Sequence, residues 1–289
     1  MVPLGNILTG VGCLGAIVML PHMIKPATMC KLFLEEKWTD DKSVQDQLIF
    51  FHFGLFSGLW FLAVLVAIAG QTCPCLPVAF GFIFIITTRL IQVGLGGYGP
   101  DKDLIGLSKK PVMLQAIVGT ILILVVLVAT IMAMGDAEYL AATAEMEAIA
   151  FDKMETAAPL VYFLISVFSF FALMQAPGIC MADKMIDGYM PSALAIADKY
   201  AGAQMKFYMS FQSRENSLFF LLLAAVILMS PDITYVCIYV CCMAVFFCGF
   251  CIHAIVYQKE YGFALPGMMV WMIFMCIIFG ATFMGLLLM

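Results

Sequence analysis

Residues 80–99 read FGFIFIITTRLIQVGLGGYG, an apolar run that is long enough to cross a bilayer and carries one arginine, Arg89. A membrane-spanning helix takes about 20 such residues. When the chain is shifted against itself by 164 residues, this run aligns with AVFFCGFCIHAIVYQKEYGF at residues 244–263, and His253 falls at the position of Arg89. Both runs contain a Tyr-Gly pair near their ends. The alignment predicts two copies of one structural unit.

The composition indicates a membrane protein along the whole chain. Hydrophobic residues make up 64% of the 289 positions and charged residues only 11%, whereas about 25% of the residues in soluble domains are charged. At about 20 residues for each span, the chain has room for eight spans and for no soluble catalytic domain. We therefore expect an all-α integral membrane protein.

The apolar runs, which are separated by prolines, glycines and polar loops, predict eight transmembrane helices. These spans cover approximately residues 4–23, 48–70, 78–97, 111–134, 158–176, 211–229, 233–257 and 264–289. Short interfacial helices are expected after the first and fifth spans, within residues 26–38 and 190–211, because apolar side chains recur there at near-helical spacing.

The spans group into two tandem four-helix repeats, residues 1–134 and 158–289, joined by an acidic linker outside the membrane at residues 135–157. Because each repeat has an even number of spans, both copies should have the same orientation, related by a pseudo-twofold axis along the membrane normal.

The distribution of basic residues predicts the orientation. All but one of the 14 lysines and arginines fall on the side reached after the odd-numbered spans, and Lys153 is the exception. The positive-inside rule makes that side the cytosolic, stromal or matrix side. Both termini are then expected on the outer or lumenal side, and we expect the host to be an energy-transducing membrane of an organelle.

Several polar side chains fall at one depth, near the basic face, once the spans are oriented. They are His22, His52, Arg89, Gln92, Gln175, Arg214, Glu215, Asn216 and His253. A charged side chain within a span is costly and usually faces the protein interior or water, so Arg89 is a candidate site residue. Glu215 is its candidate ion-pair partner. In the alternative interpretation, Arg89 extends towards lipid phosphates.

The histidines are candidate ligands for a pigment, since an imidazole nitrogen on a helix can bind the magnesium of chlorophyll or the iron of haem. We therefore consider His22, His52 and His253, together with Gln92 and Asn216, as ligand or pigment candidates. The alternative is a histidine that is hydrogen-bonded within the protein. The expected bound molecules are chlorophyll, carotenoid or structural lipid, and no metal cluster is expected.

Signatures of membrane enzymes are absent from the sequence, which has no H-E-x-x-H, no G-x-S-x-G and no Walker loop. Cys73 and Cys75 flank Pro74 in a C-x-C arrangement, which is not the C-x-x-C of a redox motif. The small residues of the seventh span, including its cysteines, are typical of close helix packing. We expect no catalytic residues and no enzymatic activity.

Two functions fit these features. The first is a non-catalytic subunit of a larger photosynthetic or respiratory membrane complex, with membrane lipids and other membrane protein subunits as partners and no nucleic acid. Such a subunit would act as a scaffold and hold lipid or pigment. The second is a transporter or channel for a small solute with its path between the repeats, which requires polar residues near the midplane.

The first repeat resembles the DoxX-like group of small four-helix membrane proteins. The matching residues are Pro26 in the loop after the first helix, Gly54 and Gly58 in the second helix, and Arg89 with Gly96-Gly97 in the third. The second repeat departs from this pattern, with His253 in place of the arginine and no glycine in its second span. The resemblance implies a fold, and the functions within that group are too varied to imply one for this chain.

Overall fold

The computed structural model describes residues 4–34, 38–99, 102–156, 159–181, 184–185, 199–261 and 265–288. The helices are α1 (Leu4–Ile24), α2 (Pro26–Phe33), α3 (Lys42–Thr72), α4 (Leu76–Tyr98), α5 (Lys102–Ile105), α6 (Lys109–Met134), α7 (Ala137–Thr156), α8 (Pro159–Gln175), α9 (Pro177–Cys180), α10 (Lys199–Met229), α11 (Thr234–Val256), α12 (Gln258–Tyr261) and α13 (Leu265–Leu288). Within these ranges, seven helices are long and apolar enough to span a membrane. The expectation of an all-α, multi-pass integral membrane protein is confirmed.

The seven helices are α1, α3, α4, α6, α10, α11 and α13. The predicted fifth span corresponds to α8, which is apolar but has only 17 residues. At 1.5 Å per residue its length is about 25 Å, which is at the lower limit for a spanning helix. The acidic stretch that was expected to be a linker forms the 20-residue helix α7.

Helices α3 and α10 are the longest, with 31 residues each, and pack against each other at the centre of the molecule. α1 packs along α3, and α8 packs along α10. α4 packs along α6, and α11 packs along α13. Each half also contacts the long helix of the other, since α4 lies against α10 and α11 lies against α3. The long helices therefore form the core around which the shorter ones are arranged.

Glycines allow α1 and α3 to approach closely. A Cβ added at Gly12 would collide with the backbone of α3 at Ala63 and Ala67, and one added at Gly5 would collide with Gly70. In membrane proteins such small residues permit backbone contact and strengthen dispersion interactions between helices. The contact holds the His22 end of α1 over the His52 region of α3.

Two boundaries differ from the sequence prediction. α10 begins at Lys199, and the segment from Ala201 to Phe211 is largely buried against neighbouring helices. The charged pair at positions 214–215 was expected to mark the membrane boundary, but it lies in the middle of the helix. The second predicted interfacial helix lies partly outside the described residues, and its part from position 199 belongs to α10.

The 164-residue shift is also wrong as a structural register. The helices that two repeats would pair, α1/α8, α3/α10, α4/α11 and α6/α13, begin 155, 157, 158 and 156 residues apart. Arg89 lies nine residues before the end of α4, whereas His253 lies three residues before the end of α11. The two side chains are therefore not at equivalent positions in their helices.

Candidate functional site

A groove between α1, α4 and α6, closed at one end by α2, has a volume of about 900 Å³. Most of its lining is aliphatic, and its polar residues are concentrated towards one end. Those polar residues are His22, Arg89, Ser108, Lys109, Lys110 and Gln115. Both lysines are exposed. The groove thus combines a long apolar wall with a cationic end.

Arg89 lies in this groove with only 8% of its surface exposed. Its Nη2 donates a long contact of 3.9 Å to the sulfur of Met19. That contact is the only hydrogen bond of the guanidinium within the described part of the chain. The burial of Arg89 favours an interior role over the alternative in which it extends to lipid phosphates at the surface.

Glu215 is also buried, with 2% exposure, and interacts electrostatically with Arg89 and Arg214. Among the described residues, neither of its carboxylate oxygens has a hydrogen-bond partner. Nη1 of Arg214 donates to the carbonyl oxygen of Thr88 at 3.2 Å. The predicted Arg89–Glu215 pair is thus a neighbouring charge pair, and no hydrogen bond joins its members.

This charged cluster lies near the middle of the helices and not near the basic face. The Asn216 side chain packs against Gly58, where an added Cβ would lie 3.0 Å from Oδ1. Gly58 is midway along α3, and Arg89 is two residues past the middle of α4. The expectation of a single polar layer near one face is wrong for these residues, because α10 begins 12 residues earlier than predicted.

The two histidines of the first half are hydrogen-bonded to each other. Nδ1 of His22 lies 2.9 Å from Nε2 of His52, and Nδ1 of His52 lies 3.0 Å from the hydroxyl of Tyr208. The His22 ring stacks on Phe56 with a centroid distance of 3.7 Å. Both ring nitrogens of His52 are occupied, so it is not a free axial ligand. Only Nε2 of His22 remains to interact with a molecule in the groove.

The other candidates lie elsewhere. His253 is exposed beside Tyr257 and lines a separate shallow cavity with Phe53. Gln92 is buried, and its Nε2 donates to Ser210 Oγ at 3.5 Å. Two of the candidate amides, Gln175 and Asn216, line a cavity of about 130 Å³ between α3, α10, α11 and α13, together with Gln212. The structure brings together His22, His52, Arg89 and Glu215, and it leaves His253 apart.

Sequence reasoning missed Tyr208 and Phe56, which complete the histidine cluster. Tyr208 is 156 residues from His52, and its role becomes visible only when α3 and α10 are packed together. Aromatic residues are common in these helices, so no local signal distinguishes the two rings. The register of α10 against α3 is the information that was lacking.

Two thiols outside the spans, Cys30 and Cys75, are buried. Burial raises the pKa of Cys30, on α2, to about 12. The neighbouring Cys73 thiol and burial raise the pKa of Cys75 in the α3–α4 turn. Among the described residues, no group of three or more histidine, cysteine or acidic side chains is arranged to hold a metal ion.

Comparison of the chain with models of known protein families, with curated proteins and with solved structures found no match.

Proposed function

We propose that the protein binds an amphiphilic molecule of the membrane, with the polar head at Arg89 and the hydrocarbon chains along α1, α4 and α6. The observation that carries this proposal is the buried guanidinium, which faces a large groove and lacks oxygen acceptors among the described residues. A buried cation without acceptors is costly, and a ligand oxygen would lower that cost.

Other groups in the groove support a ligand with a polar head. The hydroxyl of Ser108 and Oε1 of Gln115 are buried and have no hydrogen-bond partner in the described part of the chain. Nε2 of His22 is a further donor or acceptor on the same wall. Beyond these groups the lining is aliphatic, as hydrocarbon chains require. Lipid holding without catalysis is the role that this arrangement supports best, and the protein would then serve as a membrane subunit or scaffold.

The proposal includes an eight-span architecture in which α8 crosses the membrane. The Tyr139 hydroxyl donates to Pro74 O, which places the start of α7 beside the α3–α4 turn. Leu160, at the start of α8, packs against Gly285 near the end of α13. Gln204, near the start of α10, donates to Ile105 O at the other end of the bundle. These contacts support a path of the chain between α6 and α10 from one end of the bundle to the other, and α8 is the apolar helix on that path.

The helix pairing supports the two-repeat proposal. The main packing pairs in residues 1–134, namely α1/α3, α4/α6 and α1/α6, have the counterparts α8/α10, α11/α13 and α8/α13 in residues 158–289, and the contacts between the halves are reciprocal. This is the arrangement expected of parallel repeats about an axis that runs between α3 and α10. We propose that the basic loops face the cytosolic, stromal or matrix side.

Transport is the second candidate function. It is favoured by the mid-helix position of Arg89 and Glu215, because charges buried at this depth often mark a substrate or ion path. Reconstituted vesicles would test it. Transport predicts transbilayer movement of a labelled lipid or solute that is lost in Glu215→Gln, whereas a holding role predicts no movement above that of empty vesicles.

Native mass spectrometry of the purified protein in mild detergent tests the binding proposal. The wild-type chain should retain lipid, and Arg89→Gln should lose most of it, because the substitution removes the cation at the polar end of the groove. Lys259→Gln is the matched control, since Lys259 is an exposed cation outside the groove. Equal retention by the wild type and a folded Arg89→Gln variant would refute the proposal.

A further inference from the structure

The cavity that Gln175, Gln212 and Asn216 line is separate from the groove, and we call it the amide cavity. It lies between α3, α10, α11 and α13 and has a volume of about 130 Å³. An apolar cavity of about 150 Å³ inside a protein takes up a benzene ring. The amide cavity is therefore of the size that holds one six-membered ring.

The walls of the amide cavity are mostly aromatic. Four methionines also line it, and its aromatic residues are Phe50, Phe51, Phe220, Phe247, Phe250 and Trp271. The rings of Phe50 and Phe250 are stacked, with their centroids 4.5 Å apart. Aromatic faces and polarizable thioethers both pack well against another flat conjugated ring. The lining thus favours a planar molecule over a hydrocarbon chain.

Three amides supply the polar part of this lining. Gln175 ends α8, and Gln212 and Asn216 lie near the middle of α10. All three side chains are half-buried, and none of them has a hydrogen bond to another residue in the described ranges. Each amide offers both donors and acceptors, and leaving them unpaired away from water is costly. A molecule in the cavity that carries oxygens would pair them.

Two glycines of α3 give the α10 amides room beside the cavity. A Cβ added at Gly54 would lie 3.4 Å from Nε2 of Gln212, and one added at Gly58 would lie 3.0 Å from Oδ1 of Asn216. Gly54 and Gly58 are one helical turn apart, as are the two amides that they face. Each amide therefore packs closely against the surface of α3, which limits its movement.

The amide cavity differs from the groove in charge. Its lining contains no lysine, arginine, histidine, aspartate or glutamate among the described residues, whereas Arg89 lies in the groove. An ionic group inside the amide cavity would have no countercharge there, and its desolvation would be uncompensated. The cavity therefore suits an uncharged molecule.

We infer that the amide cavity binds an uncharged, flat conjugated ring that carries carbonyl or hydroxyl oxygens, the chemistry of a quinone or quinol head group. Gln212 and Asn216 are separated by about 6 Å along the helix, so they can reach two oxygens of one ring. Amide N–H groups donate to the carbonyl oxygens of a quinone, and amide oxygens accept from the hydroxyls of a quinol. This site is independent of the lipid groove.

Quenching of tryptophan fluorescence by duroquinone tests the inference on the full chain in detergent. Of the three tryptophans, Trp271 lines the cavity, and Trp60 lies on α3 outside its lining. Trp38→Phe/Trp60→Phe leaves only Trp271, and Trp38→Phe/Trp271→Phe leaves only Trp60. We expect saturable quenching of Trp271, with half-quenching at a duroquinone concentration at least about tenfold below the one that Trp60 requires.

Removal of the amides tests which groups hold the ring. Gln212→Met combined with Asn216→Leu keeps the side-chain size and removes the hydrogen bonds, so half-quenching of Trp271 should need at least about tenfold more duroquinone. Gln71→Met is the matched control, because this exposed amide at the end of α3 lies outside the cavity. It should leave the quenching unchanged.

Durene tests the same point without altering the amides. It has the ring and methyl groups of duroquinone but no oxygens, so it should displace duroquinone at least about tenfold less effectively than unlabelled menadione, a quinone of similar apolarity. A site built to hydrogen-bond a ligand discriminates against the analogue that lacks the bonding groups. Equal displacement by durene and menadione would overturn the assignment of a carbonyl-bearing ligand.

The remaining outcomes separate this inference from the proposed function. Equal, unsaturable quenching of Trp271 and Trp60 would overturn the inference, as would unchanged quenching in a folded Gln212→Met/Asn216→Leu variant. Lipid retention that depends on Arg89 should be the same in that variant as in the wild type. Loss of saturable quenching alone therefore refutes the amide cavity, and absence of Arg89-dependent lipid alone refutes the groove.

Discussion

At the scale of single residues, Tyr208 connects the two halves of the chain. It is fully enclosed, and its hydroxyl is the partner of His52, which in turn is the partner of His22. A chain of three polar groups in an apolar interior is favourable only when every member is paired. Tyr208 therefore fixes the ring orientation of His52 and, through it, the nitrogen that His22 presents to the groove.

Replacing Tyr208 with phenylalanine tests this role. The substitution leaves Nδ1 of His52 buried without a partner, so we expect a loss of about 1–3 kcal/mol in the free energy of unfolding. Unfolding in mixed micelles with increasing dodecyl sulfate would measure it.

Tyr239→Phe is the matched control, since this buried hydroxyl donates to the helical carbonyl of Phe61. That carbonyl lies within a helix and keeps its backbone partner, so a smaller loss is expected. Equal losses in the two variants would contradict the account.

At the scale of elements, the contact between α1 and α3 depends on glycine. A side chain at Gly12 would collide with the backbone of Ala67, whereas a Cβ at Gly10 on the same helix would meet nothing within 4 Å. Gly12→Val should therefore destabilise the fold by about 1–3 kcal/mol through overpacking, and it should lower lipid retention by moving α1.

Gly10→Ala provides the control for that prediction. It should be neutral or stabilising by up to about 1 kcal/mol, because alanine favours a helix over glycine. Thermal denaturation of the purified variants would compare the two. A Gly12→Val variant as stable as Gly10→Ala would show that α1 and α3 are not in close contact.

Seven of the eight predicted spans match helices that are long and apolar enough to cross a membrane, because each is an apolar run bounded by proline, glycine or charge. Arg89 and Glu215 could also be predicted as neighbours. The start of α10 could not be predicted, since a charged pair such as Arg214 and Glu215 resembles a membrane boundary. The pair lies in the middle of the helix because α4 supplies a countercharge and α3 supplies a glycine surface. The His22–His52 hydrogen bond depends on the register of α1 against α3, which periodicity does not encode.

At the scale of the whole molecule, the number of crossings decides the topology. If α8 crosses, the chain spans the membrane eight times and both termini lie on one side. Seven crossings would place them on opposite sides. We expect N-terminal and C-terminal tags to be accessible to protease or antibody from the same face of sealed vesicles. A cysteine introduced at Asp103 should react with reagents only from the opposite face. Tags accessible from opposite faces would contradict the eight-span proposal.

The central claim is that a membrane amphiphile occupies the groove of the first half with its head at Arg89. Photo-crosslinking with phosphatidylglycerol that carries a diazirine in one acyl chain, followed by peptide mapping, tests it most directly. We predict adducts concentrated on groove-lining positions of α1, α4 and α6, such as Leu14, Ile86 and Val118, and their loss in Arg89→Gln. Adducts distributed evenly over the lipid-facing helices, including α13, and unchanged in that variant would contradict it.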